Sequence, residues 1–333
     1  TRMLSSGRGL STKASAGAIR TTIRSPGAVH RFGTLRAPGN TLMYENRQSV
    51  DTSTGSKKAA VNAIPGDTIQ RCTTARSAGI RGSTLIGIIL AAGRGLRLGK
   101  DIDLTKVGPK CLLTVNGYTL LERMVADLAS FDVDTIKIVV GYNADAVEGA
   151  RSKLESKYGV DLILAYNNEF LSTNTAYSLN IGISGVDDDV VIFNGDLLYD
   201  YAILSDLLSI NQTAIVVDDK KTLTEESFKL RIVNGQIEEI GKFIPINEAT
   251  GEFIGISKIA RGDVEEAKRL LRYRIASDPN SYYDEIYKPL SKDGRFAYSF
   301  TNGLKWTEID DIHDLIYAKS IASVSDSTRR HLG

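Results

Sequence analysis

The aliphatic run Ile86-Gly87-Ile88-Ile89-Leu90 passes directly into Ala91-Ala92-Gly93-Arg94-Gly95-Leu96-Arg97-Leu98-Gly99. An apolar run that ends abruptly in small residues predicts a buried strand feeding a loop whose backbone N–H groups can close around phosphate oxygens. Two cations stand within reach of that loop: Arg97 inside it, and Lys110 in Gly108-Pro109-Lys110-Cys111-Leu112-Leu113. The glycines run G-x-G-x-x-x-G, which departs from the dinucleotide pattern G-x-G-x-x-G, and the chain contains no G-x-x-x-x-G-K-[ST].

Beyond this strand, helical and strand patterns alternate, which predicts a parallel sheet covered by helices. Helices are expected at residues 118–131, with Thr119 as N-cap, at 144–158, 173–183 and 201–210. Strands are expected at 135–140, 160–165, 190–193 and 213–217. Residues 228–233 and 236–240 flank Asn234-Gly235, the signature of a hairpin with a type I′ turn. A strand at 252–259, helices at 264–275 and 281–290, a strand at 296–300 and a last helix at 312–322 complete the pattern. The expected fold is α/β: a Rossmann-like doubly wound mixed sheet with a small inserted lid-like subdomain, spanning residues 85–322.

The flanks read differently. Residues 1–83 carry 13 Lys/Arg against 3 Asp/Glu, and the remaining 28 against 37 lie downstream, so a net charge of +1 hides a strong asymmetry. A stretch rich in Ser, Thr, Gly and Arg cannot bury enough apolar surface to offset its ordering entropy, so residues 1–84 are expected to be a disordered basic extension. Its Arg/Ser-rich, acid-poor start is also compatible with organelle targeting, the alternative to a cytoplasmic location. Residues 323–333 read as a polar tail. No apolar run approaches the roughly 20 residues of a membrane span, and the near-neutral charge argues against general nucleic-acid binding. A homodimer is left open. Cys72 and Cys111 suggest no disulfide framework, and three scattered histidines give no metal site, which leaves catalysis to carboxylates, cations and backbone.

In open α/β sheets ligands sit at the carboxyl ends of the strands, where Asp196 follows the 190–193 strand. A carboxylate there suits Mg²⁺, which takes one or two carboxylates together with phosphate oxygens and water. Asp310, in Trp306-Thr307-Glu308-Ile309-Asp310-Asp311, is a second candidate.

Leu90-Ala91-Ala92-Gly93-x-Gly95-x-Arg97 with Pro109-Lys110 resembles the signature of nucleotidyltransferases. Val140-Gly141-Tyr142, Asn194-Gly195-Asp196 and Glu308-Ile309-Asp310 follow in the same order. Thr173-Asn174-Thr175-Ala176-Tyr177-Ser178-Leu179, and Ile240-Gly241-Lys242 leading to Gly251-Glu252-Phe253, resemble the phosphocholine and phosphonate cytidylyltransferases. Sugar-nucleotide enzymes of this superfamily usually carry E-K-P at the lysine, where this chain has Gly241-Lys242-Phe243.

The resemblance implies Mg²⁺-dependent transfer of CMP from CTP to a small phosphorylated or phosphonate acceptor. It places Arg97 and Lys110 as catalytic cations. Leu90, Ala91, Ala92, Gly93, Gly95, Gly141, Tyr142, Asn174, Thr175 and Ala176 become nucleotide contacts, and Asp196 and Asp310 metal ligands. Lys242 is expected at the acceptor's phosphate; Glu252, Tyr283 and Trp306, with Phe253, Tyr282, Asp284 and Glu285, are expected around a cationic head group. A sugar-1-phosphate nucleotidyltransferase using UTP, dTTP or GTP is the nearest alternative, and a non-catalytic nucleotide-binding relative a more distant one.

Overall fold

A computed structural model describes residues 84–329. The expectation of a disordered extension over residues 1–84 therefore lies outside the described residues, Thr84 excepted, and residues 330–333 fall outside as well.

The central strand is β1 (Leu85–Ala91), followed by a short helix α1 (Leu104–Val107) and a small hairpin of β2 (Thr114–Val115) and β3 (Tyr118–Thr119). Next come α2 (Leu120–Ser130), β4 (Thr135–Val140), α3 (Ala144–Tyr158), β5 (Asp161–Tyr166), α4 (Thr175–Gly182), β6 (Asp189–Asn194), β7 (Leu197–Tyr199), α5 (Tyr201–Leu208) and β8 (Thr213–Asp218). The second half holds β9 (Lys229–Val233), β10 (Gln236–Gly241), β11 (Gly251–Ile259), α6 (Arg261–Ser277), α7 (Tyr287–Leu290), β12 (Phe296–Phe300), β13 (Trp306–Glu308) and α8 (Ile312–Arg329).

The main sheet runs β10-β9-β11-β6-β1-β4-β5, with β8 on β11 and β12 on β8. It is parallel from β6 through β1 and β4 to β5, and β11 enters antiparallel beside β6, which makes the sheet mixed. Because strand side chains alternate, β1 feeds two cores: Ile89 and Ala91 join Leu121, Met124 and Leu128 of α2, whereas Ile88 and Leu90 join Leu179 of α4 and Leu271 of α6. Burying both faces is why β1 reads as an unbroken apolar run. A third cluster packs Leu98, Leu104 and Leu113 against Ile309, Leu315 and Ala318, tying the segment after the glycine loop to the start of α8.

Several boundaries differ from expectation for identifiable reasons. Helix α2 begins at Leu120 because Tyr118 and Thr119 pair with Val115 and Thr114; Thr119 still caps it, its hydroxyl accepting from the Glu122 amide at 3.0 Å. The helix expected over 281–290 breaks into a 3₁₀ turn at Tyr283–Ile286 and α7, a restart that places Pro289 in a first turn where its missing N–H costs nothing. Helix α8 continues seven residues past Ala322 into the expected tail, since no glycine or proline interrupts the chain before Gly333. The hairpin does form at Asn234 and Gly235, whose φ values of 51° and 75° suit a type I′ turn. It extends the main sheet through β9 and β11. No helix among the described residues is long and apolar enough to cross a membrane.

Candidate functional site

Register fixes the site. Leu90 lies beside Asn194 and Ala91 beside Val140, so the loops leaving β1, β4 and β6 open at the same end of the sheet. The glycine loop is clamped there from both sides. The Gly195 amide donates to the Leu90 carbonyl at 2.8 Å, and the Tyr142 amide to the Ala92 carbonyl at 3.1 Å. A Cβ at Gly195 would stand 2.6 Å from the Leu90 oxygen, and one at Gly141 2.9 Å from the Ala92 oxygen. Both neighbours are backbone, so neither can swing aside. Gly195→Ala is accordingly expected to displace the loop and lower any activity of the cleft by about an order of magnitude or more. An alanine variant with wild-type kinetics would contradict the clamp.

Two adjoining cavities of about 190 and 390 Å³ open here and share Gly95, Lys110 and Phe170. The first is lined by Leu90, Ala91, Ala92, Gly93, Asn174, Thr175, Asp196 and Glu308; the second adds Arg94, Arg97 and Asp310. Together they reach the size of ordinary small-molecule sites.

At their junction lies a charge cluster. Lys110 Nζ donates to Asp196 Oδ2 at 2.9 Å and to Asp310 Oδ1 at 2.5 Å, and Arg97 Nη2 donates to Asp310 Oδ2 at 2.5 Å. Burial works against the Lys110 ammonium, yet the charges of Asp196 and Asp310 outweigh it and hold the lysine above its ordinary pKa. Glu308 is the third carboxylate, with ligand oxygens of all three within 4.8 Å of one another. It is exposed and lines the first cavity. The surrounding protein, and then the charges of Asp196 and Asp310, push its pKa up to about 8. Three carboxylates held this close repel one another, which is the condition a divalent cation relieves.

The remaining expected residues fall in several places. Asn174 caps α4, its side-chain oxygen accepting from the Thr175 amide at 2.9 Å, and Asn174 and Thr175 also line the cleft. Ala176 is fully buried behind them. Tyr142 contributes its backbone while its side chain packs on the third core cluster. Tyr283 and Phe253 are buried in an edge-to-face aromatic cluster with Tyr287; the Tyr283 hydroxyl donates to Asn194 Oδ1 at 3.2 Å, behind the cleft wall. Lys242 pairs with Glu226 at 2.9 Å and lines a separate groove with Phe243, Tyr282 and Glu285. Trp306 and Glu252 lie together, beside Lys221.

Sequence reasoning did not single out Glu308, although it quoted the residue in a motif, nor Asn167 and Ser178. Asn167 is buried, its amide nitrogen donating to Thr173 Oγ1 at 3.3 Å and Ser178 Oγ at 3.1 Å, which holds the segment after β5 against α4.

Asp284, expected near a head group, is buried and kept protonated to about 8 by loss of solvation. The native carboxyl keeps its proton where the unfolded one, with a pKa near 4, has lost it. Stability therefore falls as pH rises from about 4 to about 8. Asp284→Asn removes that dependence, so its thermal midpoint should gain on the wild type progressively across this window; parallel midpoint curves would contradict the assignment.

Residues 87–241 match the MobA-like NTP transferase domain. The chain is 23% identical over 252 residues to a CTP:phosphoglutamine cytidylyltransferase of Campylobacter jejuni, covering 68% of this chain and 96% of the relative. It is 27% identical to a choline-phosphate cytidylyltransferase of Streptococcus pneumoniae, covering 68% and 93%. A mannose-1-phosphate guanyltransferase of Gibberella zeae is 27% identical, covering 69% and 62%. The solved structure of a CTP:phosphocholine cytidylyltransferase from Streptococcus pneumoniae superposes with a TM-score of 0.57 at 22% identity, covering 72% of this chain and 99% of that one. The match to the MobA-like NTP transferase domain over residues 87–241 thus takes in the clamped glycine loop, Lys110 and Asp196, and the chain is similar in sequence and fold to nucleotidyltransferases.

Proposed function

We propose that the protein transfers CMP from CTP to a small phosphorylated or phosphonate acceptor, releasing pyrophosphate. The observation that carries this reading is Lys110 bridging Asp196 and Asp310 directly beside the loop of Ala92–Gly95, with Arg97 on the far oxygen of Asp310. Backbone amides of the loop would hold the triphosphate, with Arg97 toward its β and γ phosphates and Lys110 toward the α phosphate.

Asp196 and Asp310, with Glu308 beside them, fit Mg²⁺ in donor type and spacing. When bound, the ion supplies positive charge to the phosphates. An acceptor oxygen forms the new bond to the α-phosphorus while the bond to pyrophosphate breaks. The acceptor's second phosphate pKa is about 6, so it arrives largely anionic and requires no general base. The residues' task is to align two anions and offset their repulsion. Asn174, Thr175 and Ser178 line the cleft, and their polar groups would read the base. The relatives named as cytidylyltransferases, one of them for CTP, support the choice of nucleotide.

A sugar-1-phosphate reading draws support from the guanyltransferase relative. Against it, Lys242 lacks the E-K-P context and is engaged with Glu226. Pyrophosphate release measured with each NTP against glucose 1-phosphate, mannose 1-phosphate, phosphocholine and 2-hydroxyethylphosphonate separates the two. Turnover confined to CTP with a phospho- or phosphono-acceptor is expected; turnover confined to sugar phosphates would overturn the choice.

A further inference from the structure

Trp306, the single tryptophan of the chain, is buried on β13, two residues before Glu308 and therefore on the same side of that strand. Its indole Nε1 donates to Asp218 Oδ2, which fixes the ring. Over the ring, 4.3 Å from its centroid, lies the ammonium of Lys221. The same ammonium is 3.6 Å from Glu252 Oε2, too far for a hydrogen bond, and that buried oxygen has no hydrogen-bond partner among the described residues.

An aromatic face and a desolvated carboxylate that flank one point are the chemistry that recognises an ammonium group. Here the chain supplies that ammonium itself. The placement is built in: Asp218 Oδ1 accepts from the amides of Lys220 at 2.8 Å and Lys221 at 3.1 Å, and the buried Lys229 ammonium donates to the carbonyls of Thr224, Glu225 and Ser227. The loop is thus pinned on both sides of Lys221, whose own side chain stays about half exposed. A loose pair on a half-exposed lysine is weak, so its effect on a competing cation is a modest penalty rather than a complete block.

Resting on the proposed transfer reaction for its substrate, we propose that Lys221 is a specificity-determining residue: its ammonium fills the Trp306–Glu252 cation site next to the carboxylate cluster, so acceptors with an ammonium head group are disfavoured and neutral head groups preferred. The acceptor class is then a phosphate or phosphonate whose far end carries hydroxyl or amide groups.

The lone tryptophan makes a direct binding test available that does not depend on turnover. Tetramethylammonium chloride is titrated against Trp306 fluorescence, with sodium chloride as the ionic-strength control. Lys221→Ala should bind the cation about tenfold more tightly than wild type, Lys221→Arg should behave as wild type, and adding Glu252→Gln to Lys221→Ala should reverse the gain. Equal affinity in wild type and Lys221→Ala, or a gain indifferent to Glu252→Gln, would overturn the assignment. With CTP present, Lys221→Ala should lower KM for phosphocholine about tenfold relative to 2-hydroxyethylphosphonate while leaving KM for CTP unchanged; an unaltered ratio counts against the role in specificity. Tighter tetramethylammonium binding in a protein that transfers CMP to no acceptor would uphold the cation site and reject the transfer reaction.

Discussion

Lys110→Ala is expected to slow nucleotidyl transfer by about 10²–10³-fold, the usual loss when a preorganised charge-stabilising group is removed, and also to destabilise the protein in the absence of divalent cation. The second effect follows from what the lysine does before any substrate arrives. It is the shared counter-charge of Asp196 and Asp310, and all three side chains are less than a quarter exposed, at 14%, 19% and 24%. Removing one partner of a fully buried ion pair costs about 3–5 kcal/mol; the partial exposure here reduces the expectation to about 1–3 kcal/mol. A domain of this size loses roughly 2–4 °C of thermal midpoint per kcal/mol. Read from sequence, Lys110 is a cation waiting for a phosphate, and its loss should leave stability nearly intact. The structure revises that expectation, because deleting the lysine leaves three crowded carboxylates facing one another. Added Mg²⁺ should restore the midpoint without restoring turnover. Initial rates and thermal scans with and without Mg²⁺ check both halves, and a variant with full activity would remove the mechanism.

Asp310→Asn should produce the opposite pairing of effects. Its two oxygens engage Lys110 and Arg97, and its amide donates to Asp314 Oδ2 at 3.0 Å, so an amide side chain of the same size keeps the local fold. What disappears is one of three repelling charges. Stability in metal-free protein should stay level or rise, whereas activity should fall by about 10²-fold or more, since the site loses a metal-directed carboxylate and the anchor of Arg97. The Mg²⁺ concentration for half-maximal activity should rise as well. Unchanged Mg²⁺ dependence would take Asp310 out of the metal site. The contrast with Lys110→Ala separates charge balance in the free protein from charge stabilisation during transfer.

How much of this was legible beforehand depends on the range of the interactions involved. The bounds of Thr135–Val140, Ala144–Tyr158 and Phe296–Phe300 matched expectation because local periodicity and adjacent turn residues define them. The glycine loop was legible for the same reason. The charge cluster was not, since Lys110 meets partners 86 and 200 positions away, and only the order of short motifs suggested that they belong together. Glu308 stood in plain view beside Asp310; its place in the cluster depends on β13 pairing with β7 through Glu308 and Leu197, a register invisible in sequence. Tyr283 and Phe253 were legible as aromatics but not as core, because spacing cannot tell a packed ring from one lining a pocket. Lys221 carried no signal at all. Its importance arises from Trp306, 85 residues further along the chain, and from Glu252 on a neighbouring strand.

Transfer of a CMP group in this cleft is the reaction proposed. It is tested most directly by following the α-phosphorus of CTP, labelled with ³²P, in the presence of Mg²⁺ and a phospho- or phosphono-acceptor. Wild-type protein is expected to pass the label into a CMP–acceptor product in step with pyrophosphate release, and Lys110→Ala to do both about 10²–10³-fold more slowly. Label retained in CTP, released as free CMP, or transferred equally well by Lys110→Ala would contradict it.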